Sequence, residues 1–231
     1  MKTYEATEYA YKNGYKKGYE EGKMEGLKTM KNFISINKQV VELTDEQVEK
    51  IREYIGEQNV RLGDADPGEV IKIGSHEFIV LDQVGEATLL LRKDALVKMA
   101  FSEDNNNYAG SAADDACNEF AEELADLVGE DNILLHEVDL TADDGLKDYG
   151  IIQRKVSLRT AQMQREYVTI LDKYRLDCWE WLATAYSTPT HGESTWVKCV
   201  SPAGCIYNWF NFLNLAVRPF CILKSNIFVS K

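Results

Sequence analysis

The chain is short of positive charge, of histidine and of long apolar runs, and each shortage excludes something. Lysine and arginine number 26 against 38 aspartates and glutamates, for a formal net charge of −12 and a pI near 4.8. Affinity for a phosphate backbone or an anionic membrane surface comes from clustered cations. Nucleic acid is therefore disfavoured as a partner, and so is a charged lipid surface. No apolar run approaches the roughly 20 residues that a membrane-spanning helix needs, so no membrane insertion is expected. Met1 opens directly into the polar "KTYEATEYAYKNGYKKGYEEG", with no apolar signal core. That predicts synthesis in a cytoplasm without a signal peptide.

The machinery of catalysis is equally sparse. The three histidines, His76, His136 and His191, stand alone, with no second ligand at metal-binding spacing, and are expected to be solvated. No glycine-rich phosphate loop follows a strand. Asp139, Asp143, Asp144 and Asp148 lie in one acidic stretch. It lacks the alternating oxygen ligands and terminal glutamate of a calcium loop and reads as a solvated turn. The five cysteines are an odd number without tight spacing, which reads as buried reduced thiols rather than a disulfide framework. Cys199 and Cys205 are close enough in sequence to approach across a turn. No nucleophile, base and oxyanion donor fall together, so the expectation is a protein that is not an enzyme and has no cofactor and no metal.

What is present is a clear local grammar. Residues 1–31 carry Gly14, Gly18, Gly22 and Gly26 at every fourth position, flanked by Tyr11, Tyr15 and Tyr19. On a helix these form a smooth stripe. It reads either as an arm that brings copies together or as a polar leader. Residues 32–62 hold a capped helix and a linker: "TDEQ" from Thr44 is a capping box, with Val48, Ile51 and Ile55 on one face and Gly56 as the stop. The turn-rich "GDADPG" at 63–68 marks the boundary of the main domain, 63–231.

In that domain "EVIKI", "HEFIVLDQ" and "TLLLRK" are separated by tight turns and predict an antiparallel meander. "NNNYAGS" is a loop whose Ser111 caps a helix with Ala113, Cys117, Phe120, Leu124 and Val128 on one face. "VSLRT" predicts a strand, and Thr160 caps a helix carrying Met163, Tyr167, Ile170, Leu171 and Tyr174. "CWEWLATAY", "TWVKCVS" and "LAVRPFCIL" predict further strands, with Pro219 at an edge or bulge because it cannot donate to a ladder. The fold class is α+β, two helices with a mostly antiparallel sheet, plus the N-terminal helical segment.

One stretch resists this grammar. "CIYNWFNFLN", residues 205–214, holds four aromatics, three asparagines and no charge. Aromatic rings offer large contact area with few torsions, and asparagine adapts its hydrogen bonds. Binding loops use that mixture. An irregular core strand with alternate rings facing inward is the competing reading. With "WEWLATAYSTP", "WVKCVSPAG" and "LAVRPFCIL", the domain from about Glu69 to Lys231 resembles the C-type-lectin-like domains related to formylglycine-generating enzyme. It resembles most the variable proteins of diversity-generating retroelements in gut bacteria and their phages. In "SPAG", then a run of asparagines and aromatics, then "VRPF", that resemblance is most specific.

The resemblance implies a ligand-binding display protein of receptor-binding or adhesin type, on a phage tail or cell surface. Its partner would be a protein or other surface ligand on a bacterial cell. It implies a variable loop at 203–214 with Cys205, Tyr207, Asn208, Trp209, Phe210, Asn211, Phe212 and Asn214 as the ligand-binding residues. Trp179, Trp181, Arg218 and Pro219 would be the scaffold. In that group a reverse transcriptase copies a template with errors at adenines, so AAY asparagine codons become Tyr, Phe or Cys without creating a stop. Trp209 departs from this, since AAY cannot become TGG. "Lectin" names a fold here, for the chain lacks a calcium-dependent sugar motif. An oxidase resembling formylglycine-generating enzyme, with Cys199 and Cys205 as a copper-thiolate pair, is the alternative, and a structural phage or cell-surface module is another. Homo-oligomerisation through the N-terminal arm would add avidity.

Overall fold

The computed structural model describes residues 33–36, 39–42 and 59–231. The chain divides into two units, residues 1–59 and 60–231. In the first, β1 (Phe33–Ile36) and β2 (Gln39–Glu42) form an antiparallel hairpin, Ile36 opposite Gln39. This hairpin lies within the segment read as a capped helix and linker, and that reading did not anticipate it. The glycine stripe and the Thr44 capping box lie outside the described residues. The second unit starts three residues ahead of the expected boundary. The "GDADPG" stretch belongs to it: Leu62 and Ala65 are fully packed, and the Gly63 amide donates to the Ser225 carbonyl at 2.8 Å.

Within this unit the meander forms as the turns dictate. β3 (Asn59–Arg61) precedes β4 (Val70–Ile73), β5 (His76–Val84) and β6 (Ala87–Arg92). These last three are sequential antiparallel neighbours. After β7 (Val97–Met99), the Ser111 hydroxyl accepts from the Asp114 amide and starts α1 (Ala112–Val128). Its buried stripe is Ala113, Cys117, Phe120 and Leu124, the expected 3.6-residue period. Short strands β8 (Ile133–Leu134), β9 (His136–Asp139), β10 (Ile151–Arg154) and β11 (Val156–Leu158) follow.

Thr160 caps α2 (Ala161–Glu166) as expected, but the helix breaks at Tyr167 and resumes as α3 (Val168–Leu171). The predicted face survives the break: Met163, Tyr167, Ile170, Leu171 and Tyr174 still pack together against Ile79, Leu81 and Phe220. The C-terminal part runs through β12 (Glu180–Ala185), β13 (Trp196–Val200), β14 (Ile206–Phe210), β15 (Leu215–Val217), β16 (Pro219–Lys224) and β17 (Phe228–Ser230).

Two larger sheets result, making an α+β fold. One has the order β11-β16-β6-β5-β4-β17-β3, with β8 also on β16; the other is β14-β13-β12-β15-β7. Only the pairing of β12 with β15 is parallel among the registers described. Phe78, Val80, Leu90, Phe120 and Trp181 share the main core. Ile79, Leu81 and Leu91 point the opposite way, onto the second helical segment. The alternation along β5 is thus apolar on both faces, and both faces are covered.

"LAVRPFCIL", read as one strand, is two strands in two sheets, with Arg218 at the crossover. Pro219 is not at a sheet edge. It is the first residue of β16, which lies between β11 and β6, and it stands opposite Leu158. A strand's first position tolerates proline because few ladder bonds have begun there. No helix among the described residues is long and apolar enough to cross a membrane.

Candidate binding surface

Residues 205–214 form an edge strand and a turn rather than a free loop. β14 pairs in unbroken antiparallel register with β13, from Trp196 opposite Phe210 to Val200 opposite Ile206. The hairpin closes through "SPAG": the Gly204 amide donates to the Ser201 carbonyl at 2.8 Å, and the Ser201 amide to the Cys205 carbonyl at 2.9 Å. Gly204 sits at φ 85°, a conformation that favours glycine, while a Cβ there would meet only the movable side chains of Arg175 and Asp172.

Period-two geometry sends the rings of β14 to opposite faces. Tyr207 and Trp209 flank Trp179 edge-to-face, at centroid distances of 5.3 and 5.5 Å. Phe210 lies on the other face against Trp196 at 4.1 Å and stacks on Phe212 at 5.3 Å. Such pairs add about 0.5–1.5 kcal/mol beyond burial, so the rings are held rather than loose. Tyr207 is 51% exposed and Phe212 60%. Asn214 and Cys205 are exposed, and Asn208, Trp209 and Phe210 are half-buried. Trp209 packs against the main core, and its indole Nε1 and the Asn208 Oδ1 are buried without a hydrogen-bond partner.

Asn211 does not belong with the exposed set. It is 2% exposed, its side-chain amide donates to the Asn105 carbonyl at 3.2 Å, and its own carbonyl accepts from the Phe101 and Ser102 amides. It clamps the turn to the "NNNY" loop. Asn106, a residue the sequence left unassigned, completes the clamp from within. Its fully buried amide donates to the carbonyls of Ser187 and Trp196, and it accepts from Tyr149 Oη at 2.6 Å. Three consecutive asparagines signal a loop; which of them turns inward depends on partners some 80–90 residues away.

The residues read as scaffold divide too. Trp181 is fully buried and donates to the Met99 carbonyl at 3.0 Å, joining β12 to the end of β7. Trp179 is half-buried and belongs to the aromatic surface. Arg218 is buried and donates to the carbonyls of Arg92, Lys93 and Tyr174 at 2.7–2.9 Å. Its guanidinium also lies 3.5 Å from Glu180, which Arg159 meets at 2.8 Å. Burial raises the Glu180 carboxyl pKa, but the two guanidinium groups outweigh that and hold it below the usual value. Burial lowers Arg218 to about 10, and it stays charged at neutral pH.

Other expectations need correction. His76 and His136 are buried rather than solvated: His76 Nε2 meets Glu123 at 2.9 Å, and His136 Nε2 meets Ser157 Oγ at 2.9 Å. The acidic stretch is tied down rather than freely solvated. Asp144 accepts from Ser187, Asp148 accepts from Thr188 and Thr190, and Asp143 pairs with Arg165 and Lys198. These bonds join the 140s loop to α2, to the segment leading into β13 and to β13 itself. Of the five thiols, Cys117, Cys199 and Cys221 are buried, Cys178 is half-buried and Cys205 is exposed, and all are free. Cys199 stands opposite Tyr207 in the ladder, so the pairing does not set it against Cys205.

No known protein family, curated protein or solved structure matches this chain.

Proposed function

We propose that residues 60–231 are a C-type-lectin-like ligand-binding domain of the kind borne by variable proteins of diversity-generating retroelements. Its presented surface is the β14 hairpin with Trp179, centred on Tyr207 and Phe212, and includes Cys205, Asn208, Trp209, Phe210 and Asn214. Its ligand is a protein or other surface component of a bacterial cell, met from a phage particle or cell surface. The observation that carries this reading is the division of labour within ten residues. Tyr207 and Phe212 expose their rings, while Asn211, between Phe210 and Phe212, is buried and clamped by the 101–106 loop. A surface held by buried anchors can change its exposed side chains at little cost to the fold. Rigid aromatic rings supply contact area without much loss of torsional freedom.

Two experiments test it. Sequencing the surrounding locus should find a reverse-transcriptase gene and a near-identical repeat differing at adenines across the codons for 205–214; without these the retroelement reading fails. At the protein level, Tyr207→Ser with Phe212→Ser should keep the far-UV circular dichroism and shift the unfolding midpoint little, yet abolish attachment of the labelled full chain to a panel of intact gut bacteria. Attachment unchanged by the double substitution would place the binding surface elsewhere.

A further inference from the structure

We infer that β14 is a self-pairing edge, through which two copies of this chain join their five-stranded sheets across a two-fold axis at Asn208. A sheet's terminal strand presents unpaired backbone groups, and natural proteins blunt such edges by shortness or charge. Here β3, β7 and β11 are each three residues long; β3 carries Arg61, β7 carries Lys98, and β11 is preceded by Lys155. β14 departs from this pattern. It is five residues long, its register is free of bulges, it contains no proline, and no charged residue occurs between Lys198 and Arg218.

The ladder shows which groups are on offer. The Ser201 amide bonds to the Cys205 carbonyl and the Asn211 amide to the Thr195 carbonyl. Alternation then turns the backbone of Tyr207 and Trp209 toward β13 and that of Ile206, Asn208 and Phe210 outward. Of these outward groups, the Phe210 carbonyl already accepts from the Leu213 amide at 3.1 Å and retains one lone pair.

A row of alternating donors and acceptors at strand spacing is complementary to another extended polypeptide. The sequence of β14 makes it complementary to itself. Antiparallel pairing centred on Asn208 sets Asn208 against Asn208, Ile206 against Phe210 and Tyr207 against Trp209. The Ile206–Phe210 and Tyr207–Trp209 pairs are favourable cross-strand pairs, and the two Asn208 amides carry both donors and acceptors for one another. Charge selects the same occupant: a chain of net −12 meets its own copy at least cost through a surface without charge. Because pairing uses the backbone edge and not the exposed Tyr207 and Phe212 rings, the dimer would present two aromatic surfaces side by side. It does not depend on the ligand-binding reading.

The test uses the full-length chain in sedimentation equilibrium over a concentration series, with hydrogen exchange read at single amides. In the wild type the Ile206, Asn208 and Phe210 amides should slow as concentration rises. Asn208→Pro removes an outward N–H that bonds to nothing in one copy, so the fold should persist while the subunit count halves. Asn208→Asp is isosteric, faces Lys198 within its own copy, and puts two carboxylates together at the axis. Self-association should weaken by at least about tenfold. A wild type that is monomeric throughout, or a subunit count unchanged in both variants, overturns the proposal. Amide protection that is independent of concentration also overturns it, since some other part of the chain would then cover the edge. Cell attachment through Tyr207 and Phe212 is scored separately, so either proposal can fail alone.

Discussion

β12 and β14 are both short aromatic strands in one sheet, separated by β13, and their fates are opposite. In β12, "EWLATA", every residue is buried. In β14, "IYNWF", no residue is. The difference lies in their neighbours: β12 has β13 on one side and β15 on the other, while β14 has β13 alone. Aromatic content therefore marks a strand that will be packed against something. Whether that something is the protein's own core or a partner is decided by position in the sheet.

The comparison can be broken most forcefully at Trp181. Trp181→Ala should cost about 3–5 kcal/mol in denaturant unfolding, the range for deleting a fully buried large side chain. A wild-type midpoint would mean that β12 is not the central strand. The acid limb of stability tests the core beside β11. Burial lowers His136 to about 4. Its folded pKa lies below the unfolded value, so the unfolded chain binds the extra proton. The protein should lose stability as pH falls from about 6.5 to 4, by roughly 3 kcal/mol in total. His136→Gln should flatten this limb, as read from urea midpoints at stepped pH.

Smaller effects sharpen the contrast inside the hairpin. Asn211→Ala should cost about 1–3 kcal/mol, because it removes a buried amide and leaves the Asn105 carbonyl unpaired. Asn214→Ala should fall within about 0.5 kcal/mol. Equal effects in thermal melts would erase the distinction between the two asparagines. Small as well, Tyr207→Ser and Phe212→Ser should each cost less than about 1 kcal/mol, the worth of one ring contact on an exposed side chain. A core-sized loss from either would make its ring part of the core.

The meander, the loop before α1 and both helix starts were legible because their causes are local. Tight turns follow β4 and β5, and Ser111 and Thr160 each cap a helix within three residues. The break at Tyr167 was not legible, since the apolar face continues straight through it and the interruption satisfies packing on β5 and β16. Nor were the buried states of His76 and His136, whose partners Glu123 and Ser157 lie 47 and 21 residues away.

By itself, the sequence determined that 205–214 is uncharged and ring-rich, that "SPAG" turns before it, and that apolar strands enclose it on both sides. Those properties follow from side-chain chemistry and from the backbone freedom of one glycine. Only the tertiary structure decided that the stretch is an edge strand, that Asn211 is an anchor while Asn214 is not, and that "LAV" and "PFCIL" serve different sheets. Each of those outcomes depends on which distant strand supplies the missing hydrogen bonds. A residue's own neighbours in the chain carry no record of that.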